Sequence, residues 1–363
     1  MLLTAVLFIL ILGLLVYIHE IGHFIAAKLG GIKVEEFAFG FPPRIYSKKF
    51  GETNYSINSI PIGGYVKMLG EDKESQSSRS FSQKKPLIRA FVSVAGVIMN
   101  IVLAWLILTT GFTIGMTPLV SNADSIPGKK LSTSVYVASV LDGSPAAEIG
   151  LKPGDIVLRG EAVDEPEVVF SSASELSNFT KSHAGKKVEL VYKRGDKEST
   201  AQATLIEEEE TPLGISIIET SVVRTVWYMS PIVAFREIVH IVNINFDFLG
   251  KFFVKLFSSG RISDEVGGPV AIYVFTGMAA RAGAMVILQF IAILSISFAL
   301  INILPFPALD GGRLLFILLE KIFRRKIIKE NIENIIHAVG FVLILIFAAA
   351  VTYKDVINFI IKK

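Results

Sequence analysis

The chain has 363 residues, no cysteine, a formal net charge of +3 and 52% hydrophobic side chains, with a mean hydropathy of +0.56. It is too apolar for an ordinary soluble protein, and without cysteine it has neither a disulfide framework nor a thiolate metal site, so any metal must be held by His, Asp or Glu. The charge is mild and no basic tract with interleaved aromatics points to nucleic acid, while the charged residues, 19% of the total, gather outside the apolar runs, which predicts a membrane domain carrying a polar module.

In chain order, the first apolar run, about residues 2–27, has no Lys or Arg before it and no small-residue cleavage pattern. It reads as a retained transmembrane helix rather than a removable signal peptide. The stretch "NYSINSIPIGGYVKMLGED" alternates and then carries Gly63 and Gly64 before Tyr65 and Val66. It predicts a β-hairpin over about 53–70, either a plain loop hairpin or one that dips toward the membrane and offers an edge to another extended chain. A second span is expected over about 91–115, closing the first half of the membrane domain at 1–115.

The polar middle, about 132–220, alternates in short runs such as "TSVYVASVL" and "KKVELVYKRGD" with turn residues between them, and reads as a small β-rich domain. Residues 231–257 are long and apolar, yet Arg236, His240, Asn243, Asp247, Lys251 and Lys255 recur every three or four positions. One wet stripe of that kind predicts an amphipathic helix lying in the membrane interface. Spans three and four are expected at about 284–304 and 335–351, within a second membrane half at 284–363. Lys33, Arg44, Lys48, Lys49, Lys67, Lys73, Arg79, Lys84, Lys85 and Arg89 separate spans one and two, and Lys321, Arg324, Arg325, Lys326 and Lys329 separate spans three and four. Both loops should be cytoplasmic and the β-rich domain on the opposite side.

Two stretches carry chemistry. In His19-Glu20-Ile21-Gly22-His23 the histidines are four residues apart, so on a helix they stack one turn apart and can chelate one ion. Neutral imidazole suits Zn²⁺, and Glu20 can take a proton from water activated there. Polar side chains at membrane depth cost several kcal/mol unless paired or functional. A hydrolytic zinc wants a third protein ligand. The best candidate is Asp310 in "NILPFPALDGGRLLF", which topology places near the depth of His19 and His23. Pro305 and Pro307 cannot extend a regular helix, and Gly311 and Gly312 free the backbone so that the aspartate can turn inward. His183, His240 and His337 read as surface or interfacial residues.

These residues, with "PIGGYVKMLGED" from Pro61, "FSQKKPLIRAFVSVAGVIMN" from Phe81 and "VGGPVAI" from Val266, resemble the site-2 protease family of intramembrane zinc metalloproteases, and more narrowly its bacterial RseP-type branch. "GSPAAEIGLKPGDIVLRGEAV" from Gly143 resembles the PDZ signature, with Gly150, Leu151, Gly154 and Asp155 in place. The fold implied is a polytopic α-helical membrane protein of about four spans, with an inserted PDZ-like domain and a membrane-associated hairpin. The resemblance implies one Zn²⁺ per chain on His19, His23 and Asp310, with Glu20 as general base and then proton donor. Asn302 and Asn100 would meet substrate or support the site, and Gly63, Gly64, Tyr65 and Val66 would hold the substrate as an added strand. Implied partners are single-span membrane proteins and membrane lipids, with peptide ends bound by the PDZ-like domain. The implied activity is cleavage of transmembrane segments in regulated intramembrane proteolysis, of anti-sigma factors or remnant signal peptides, in the inner membrane with the site toward the cytoplasm. Two other readings fit the same residues: a zinc-dependent membrane hydrolase of another substrate class, and a non-enzymatic PDZ-bearing scaffold with a structural metal. Val97 stands where the family has Pro after Ala95-Gly96, and one PDZ-like domain is seen where some relatives have two.

Overall fold

A computed structural model describes residues 2–71, 75–163, 165–195, 197–207, 210–259, 266–325, 328 and 330–361. Lys73, Lys326 and Lys329 of the basic loops lie outside the described residues. The chain divides into two compact units, Met1–Leu108 with Ile238–Lys363, and Thr109–Glu237.

In the first unit, α1 (Leu2–Leu29) is a 28-residue helix. At 1.5 Å per residue it is roughly 42 Å long, more than the ~30 Å hydrocarbon core requires. Among the described residues four helical stretches are long and apolar enough to cross a membrane: α1, α2 (Pro86–Ile114), α7 (Ala284–Ile303) and Ile332–Val356 of α9 (Glu330–Val356). Helix α5 (Ser230–Ser259), which contains the polar stripe, is not one of them. Two further helices, α6 (Pro269–Ala282) and α8 (Asp310–Phe323), flank α7. The backbone N–H groups of Gly268 and Ala271 at the start of α6 donate to the buried Asp355 carboxylate at 2.9 and 3.0 Å. The end of α9 thereby caps a helix whose own N-cap, Gly268, has no side chain to do so.

Strands β1 (Val34–Phe50) and β2 (Thr53–Met68) turn over at Gly51 and Glu52. The hairpin expected within 53–70 is therefore larger: that segment is only its second strand, and the partner lies upstream. The alternation of β1 is broken by Gly40, Pro42 and Pro43, which hid it as a strand. Each of Glu36–Phe39 is matched twice, to Asn54–Ile57 and to Gly64–Lys67. Phe37, Val66 and Met68 bury against Ala26 and Ala27 of α1, Val92 and Ala95 of α2, and Ile317 of α8. Glu52 at the turn accepts from Lys28 Nζ at 2.8 Å and from both Arg79 terminal nitrogens at 2.6 and 2.7 Å. These bonds hold its carboxyl down at about 2.

The second unit carries a six-stranded sheet. Strands β3 (Lys129–Val140), β4 (Ile156–Ala162), β5 (Val168–Val169), β6 (Lys187–Arg194), β7 (Lys197–Thr204) and β8 (Ile215–Arg224) run in the order β7-β6-β4-β3-β8, with β5 on β4. Helices α3 (Pro145–Glu148) and α4 (Ala173–Ser182) start on serine caps, Ser144 and Ser172, whose hydroxyls accept free N–H groups of the first turn. Inward-facing Val135, Val157, Leu176, Leu190 and Leu213 form the core. In the Gly150 to Asp155 signature, Leu151 enters this core and buried Asp155 accepts from Arg194 at 2.7 Å. Glu237, 1% exposed, accepts the N–H groups of Leu119 and Val120 at 2.6 and 2.7 Å and pins the segment after α2.

Candidate metal centre

The helical spacing of α1 stacks His19 and His23 with their Nε2 atoms 3.1 Å apart. Helix α7 stops at Ile303 because Pro305 and Pro307 lack the N–H that a continuing helix needs. Helix α8 begins at Asp310, where the free N–H groups of the first turn favour a carboxylate. Asp310 Oδ2 lies 2.9 Å from His19 Nε2 and 3.3 Å from His23 Nε2. One ligating atom from each residue falls within 4.8 Å of the others, with both histidines buried.

Small residues make this convergence possible. A Cβ on Gly22 would run into the Ala95 carbonyl, so α1 and α2 cross in close contact. A Cβ on Gly96 would sit 2.6 Å from both His19 Cε1 and His23 Nε2, so α2 offers the imidazoles a bare backbone to lie on.

The donor set fits a cation. His23 Nδ1 donates to the Val92 carbonyl at 2.8 Å, which leaves the Nε2 lone pair facing Asp310. Asn100, fully buried on α2, has its amide nitrogen 3.4 Å from His19 Nδ1 and its Oδ1 unpartnered. Turning the amide over lets Oδ1 accept the Nδ1–H and gives His19 the same tautomer. Ser295 donates to the Asn100 carbonyl at 2.8 Å and ties α7 to this place. Two imidazole lone pairs and a carboxylate oxygen then converge, and Asp310 Oδ2 is buried with no directed hydrogen bond. Three acceptors at such distances repel unless a cation sits among them, and two nitrogens with one oxygen suit zinc.

The other expected residues distribute unevenly. Glu20, Tyr65, Val66 and Asn302 line one cavity with His19, His23 and Asp310. The Val66 backbone lies near the Glu20 carboxylate in this cavity. The β2 backbone runs beside that acid, since a Cβ on Gly64 would lie 3.6 Å from Glu20 Cγ. Gly63, at φ +90°, packs against the Phe41 ring and does not line the cavity. Asn302 spends its amide on the Phe298 carbonyl of its own helix at 3.0 Å. Asn100 meets the cluster only through His19.

Sequence reading missed a pair in the cavity wall. Glu71, just after β2, makes an ion pair with Arg313, which stands one turn after Asp310 on α8 and lies over the Phe81 ring. Arg89 of α2 covers the same ring and pairs with Glu320 of α8 at 2.8 Å. The i, i+3 spacing of Asp310 and Arg313 was the available signal; the partner 242 positions away was not.

The family model described as Peptidase family M50 matches residues 7–347. A protein of Clostridium perfringens named as a zinc metalloprotease is 38% identical over 343 residues, covering 94% of this chain and 95% of its own length. Zinc metalloprotease RasP of Shouchella clausii is 30% identical, with 97% of this chain and 98% of its own covered. A protein of Arabidopsis thaliana named as a chloroplast membrane metalloprotease is 30% identical over 96% of this chain and 78% of its own. The solved PDZ domain of an SdrC-like protein of Listeria monocytogenes is 33% identical over 23% of this chain and 86% of its own, with a TM-score of 0.20. Membership extends across both membrane halves and sets aside the non-enzymatic scaffold. The chain belongs to peptidase family M50, the membrane-embedded site-2 proteases, and is a zinc metalloprotease.

Proposed function

We propose that His19, His23 and Asp310 hold one zinc ion per chain and that Glu20 is the general base for hydrolysis of a peptide bond within or beside a substrate's transmembrane segment. The observation that carries this is the convergence of the three acceptors on one point, with Glu20 in the same cavity, on helices apolar enough to span a membrane. A bound zinc supplies Lewis acidity, which polarises a carbonyl and acidifies water. Glu20 takes the proton of the attacking water and passes it to the departing amine. The Val92 carbonyl keeps His23 in its ligating tautomer.

A peptide bond inside a helix is shielded, so the substrate must be extended before it is cut. Gly64–Lys67 have sheet partners on one side only among the described residues, and Tyr65 and Val66 face the cavity. In this reading the free side takes the substrate as an added strand. In the second unit, β8 is an edge strand, and its Ile215 and Ile217 line a groove with Leu176 and Thr180 of α4. That groove suits a peptide end bound by strand addition and would screen substrates. Exposed Leu10, Leu14, Val339 and Val342 suit contact with lipid. The basic residues around β1 and β2 and after α8 favour a bacterial inner membrane with the site toward the cytoplasm and the β-rich unit outside. Single-span proteins, among them anti-sigma factors and remnant signal peptides, are the substrate class.

The test is Glu20→Gln in the full chain in detergent. Zinc content should stay near one per chain while cleavage of a single-span test substrate falls by about 10²–10⁴-fold. Undiminished cleavage would remove Glu20 from the mechanism. Zinc-loaded protein that cuts soluble esters or amides but no helical substrate would favour a different substrate class.

A further inference from the structure

Ala308, two residues before Asp310, has φ of +73°, a left-handed conformation that residues with a side chain seldom adopt. The loop around it is tied internally: Phe306 N–H donates to Leu304 O at 2.7 Å, Leu309 N–H to Phe306 O at 3.2 Å and Gly312 N–H to Leu309 O at 3.0 Å. The Ala308 N–H instead leaves the loop and donates to His337 Nδ1 on α9 at 2.8 Å. A backbone N–H can only donate, so Nδ1 is the acceptor and the imidazole proton sits on Nε2. Nε2 lies 4.0 Å from the Glu333 carboxylate one turn back on α9, which favours that tautomer. The Phe316 ring of α8 meets the imidazole edge-on at 5.6 Å. Three residues further along α9, a Cβ on Gly340 would stand 2.5 Å from Pro307 Cβ and 2.7 Å from its carbonyl oxygen. The turn therefore rests directly on α9, at the one place where that helix has no side chain.

We propose that His337 is a positioning residue for the metal centre: by accepting the Ala308 N–H it holds the left-handed turn that brings Asp310 into line with His19 and His23. This rests on Asp310 being a zinc ligand. A histidine that merely filled space would need neither a bond to a strained backbone nor a bare Gly340 beside it. The fourth long apolar helix, which contributes no ligand to the His19, His23 and Asp310 set, thus has a defined part in shaping the site.

The experiment measures zinc affinity of the full chain in detergent by competition with a chromogenic chelator. His337→Phe keeps a ring against Phe316 but has no acceptor, and its affinity should weaken by about 10–100-fold, as for other outer partners of ligands. Adding Ala308→Gly should recover most of the loss, because glycine takes the left-handed conformation without help. Equal affinities for His337→Phe and Ala308→Gly/His337→Phe, or a wild-type affinity for His337→Phe, would overturn the proposal. If His337→Phe does not fold, two amides decide. His337→Asn places its oxygen where Nδ1 stands and should bind zinc more tightly than His337→Gln, whose oxygen reaches past it; equal binding overturns the proposal. Asp310→Asn separates the layers. Zinc held by it at wild-type strength removes Asp310 from the ligand set and this inference with it, whereas zinc lost there but unchanged across the His337 series overturns the positioning role alone.

Discussion

His23 in the membrane unit and His183 in the β-rich unit have nearly the same immediate surroundings. Both are buried, each with Nδ1 on a backbone carbonyl, Val92 at 2.8 Å and Phe179 at 2.7 Å, and with Nε2 facing a carboxylate, Asp310 at 3.3 Å and Glu165 at 2.8 Å. They diverge one layer out. Glu165 is half exposed and shared with Lys186 at 3.5 Å, so its charge is solvated and its partners are donors. Asp310 meets a second imidazole instead, His19, whose Nε2 is 2.9 Å away. A buried histidine and a carboxylate make an ordinary hydrogen-bonded pair; a second imidazole aimed at the same oxygen makes a place for a cation.

That contrast can be broken in three ways. The largest effect should come from the proposed ligands. His23→Ala or Asp310→Asn should strip zinc from the chain and lower peptidase activity by at least about 10³-fold, since the remaining pair no longer closes a three-ligand site. His183→Ala should leave zinc content intact. Zinc analysis and cleavage of a single-span substrate check both, and a zinc loss with His183→Ala would mean that the two clusters are not independent.

A smaller effect should follow from crowding the rings without touching a ligand. Gly96→Ala puts a methyl group 2.6 Å from both imidazoles. The histidines must turn, and misplacement by about 1 Å costs on the order of 10²-fold in rate. Zinc affinity and kcat should fall together. A bulkier residue tolerated at 96 with unchanged zinc binding would show that the rings lie elsewhere.

The smallest effect belongs to the β-rich pair. The hydrogen bond from His183, assisted by Lys186, holds the Glu165 carboxyl below the ordinary carboxylate value of 4.5. The native state therefore binds this proton less readily than the unfolded chain. The stabilisation is complete above pH 4.5 and is lost as pH falls through the depressed native value. Thermal unfolding of the Glu165→Gln chain, followed by a probe in the β-rich unit, should depend on pH slightly less than wild type below pH 4.5. Identical profiles would show that the pair contributes nothing to stability.

Much of the site was legible because it is local. His19, Glu20 and His23 declare themselves by spacing on one helix, and Pro305, Pro307, Gly311 and Gly312 mark where a helix must stop and a chain can turn. The hairpin was half legible. Thr53–Met68 alternates, but its partner is broken by Gly40, Pro42 and Pro43, and the double matching of Glu36–Phe39 is a property of two strands together. Two quieter residues were less legible. Gly96 entered only as part of the second-helix pattern, and His337 read as a surface or interfacial histidine. Each acquires meaning only from what lies across from it: two imidazoles for Gly96, a left-handed backbone for His337.

By itself the sequence determined which segments are apolar enough to span a membrane, that a β-rich unit is inserted between them, and that two imidazoles share one helical face. Those properties depend on composition and on periods of two or about four residues, which any short window contains. Only the tertiary structure brought Asp310 within 3.3 Å of both imidazoles, set the bare backbone of α2 at Gly96 against them and put α9 beside the Ala308 turn. These depend on close packing between segments as distant in sequence as His19 and Asp310, where the missing side chain of one residue sets the position of another.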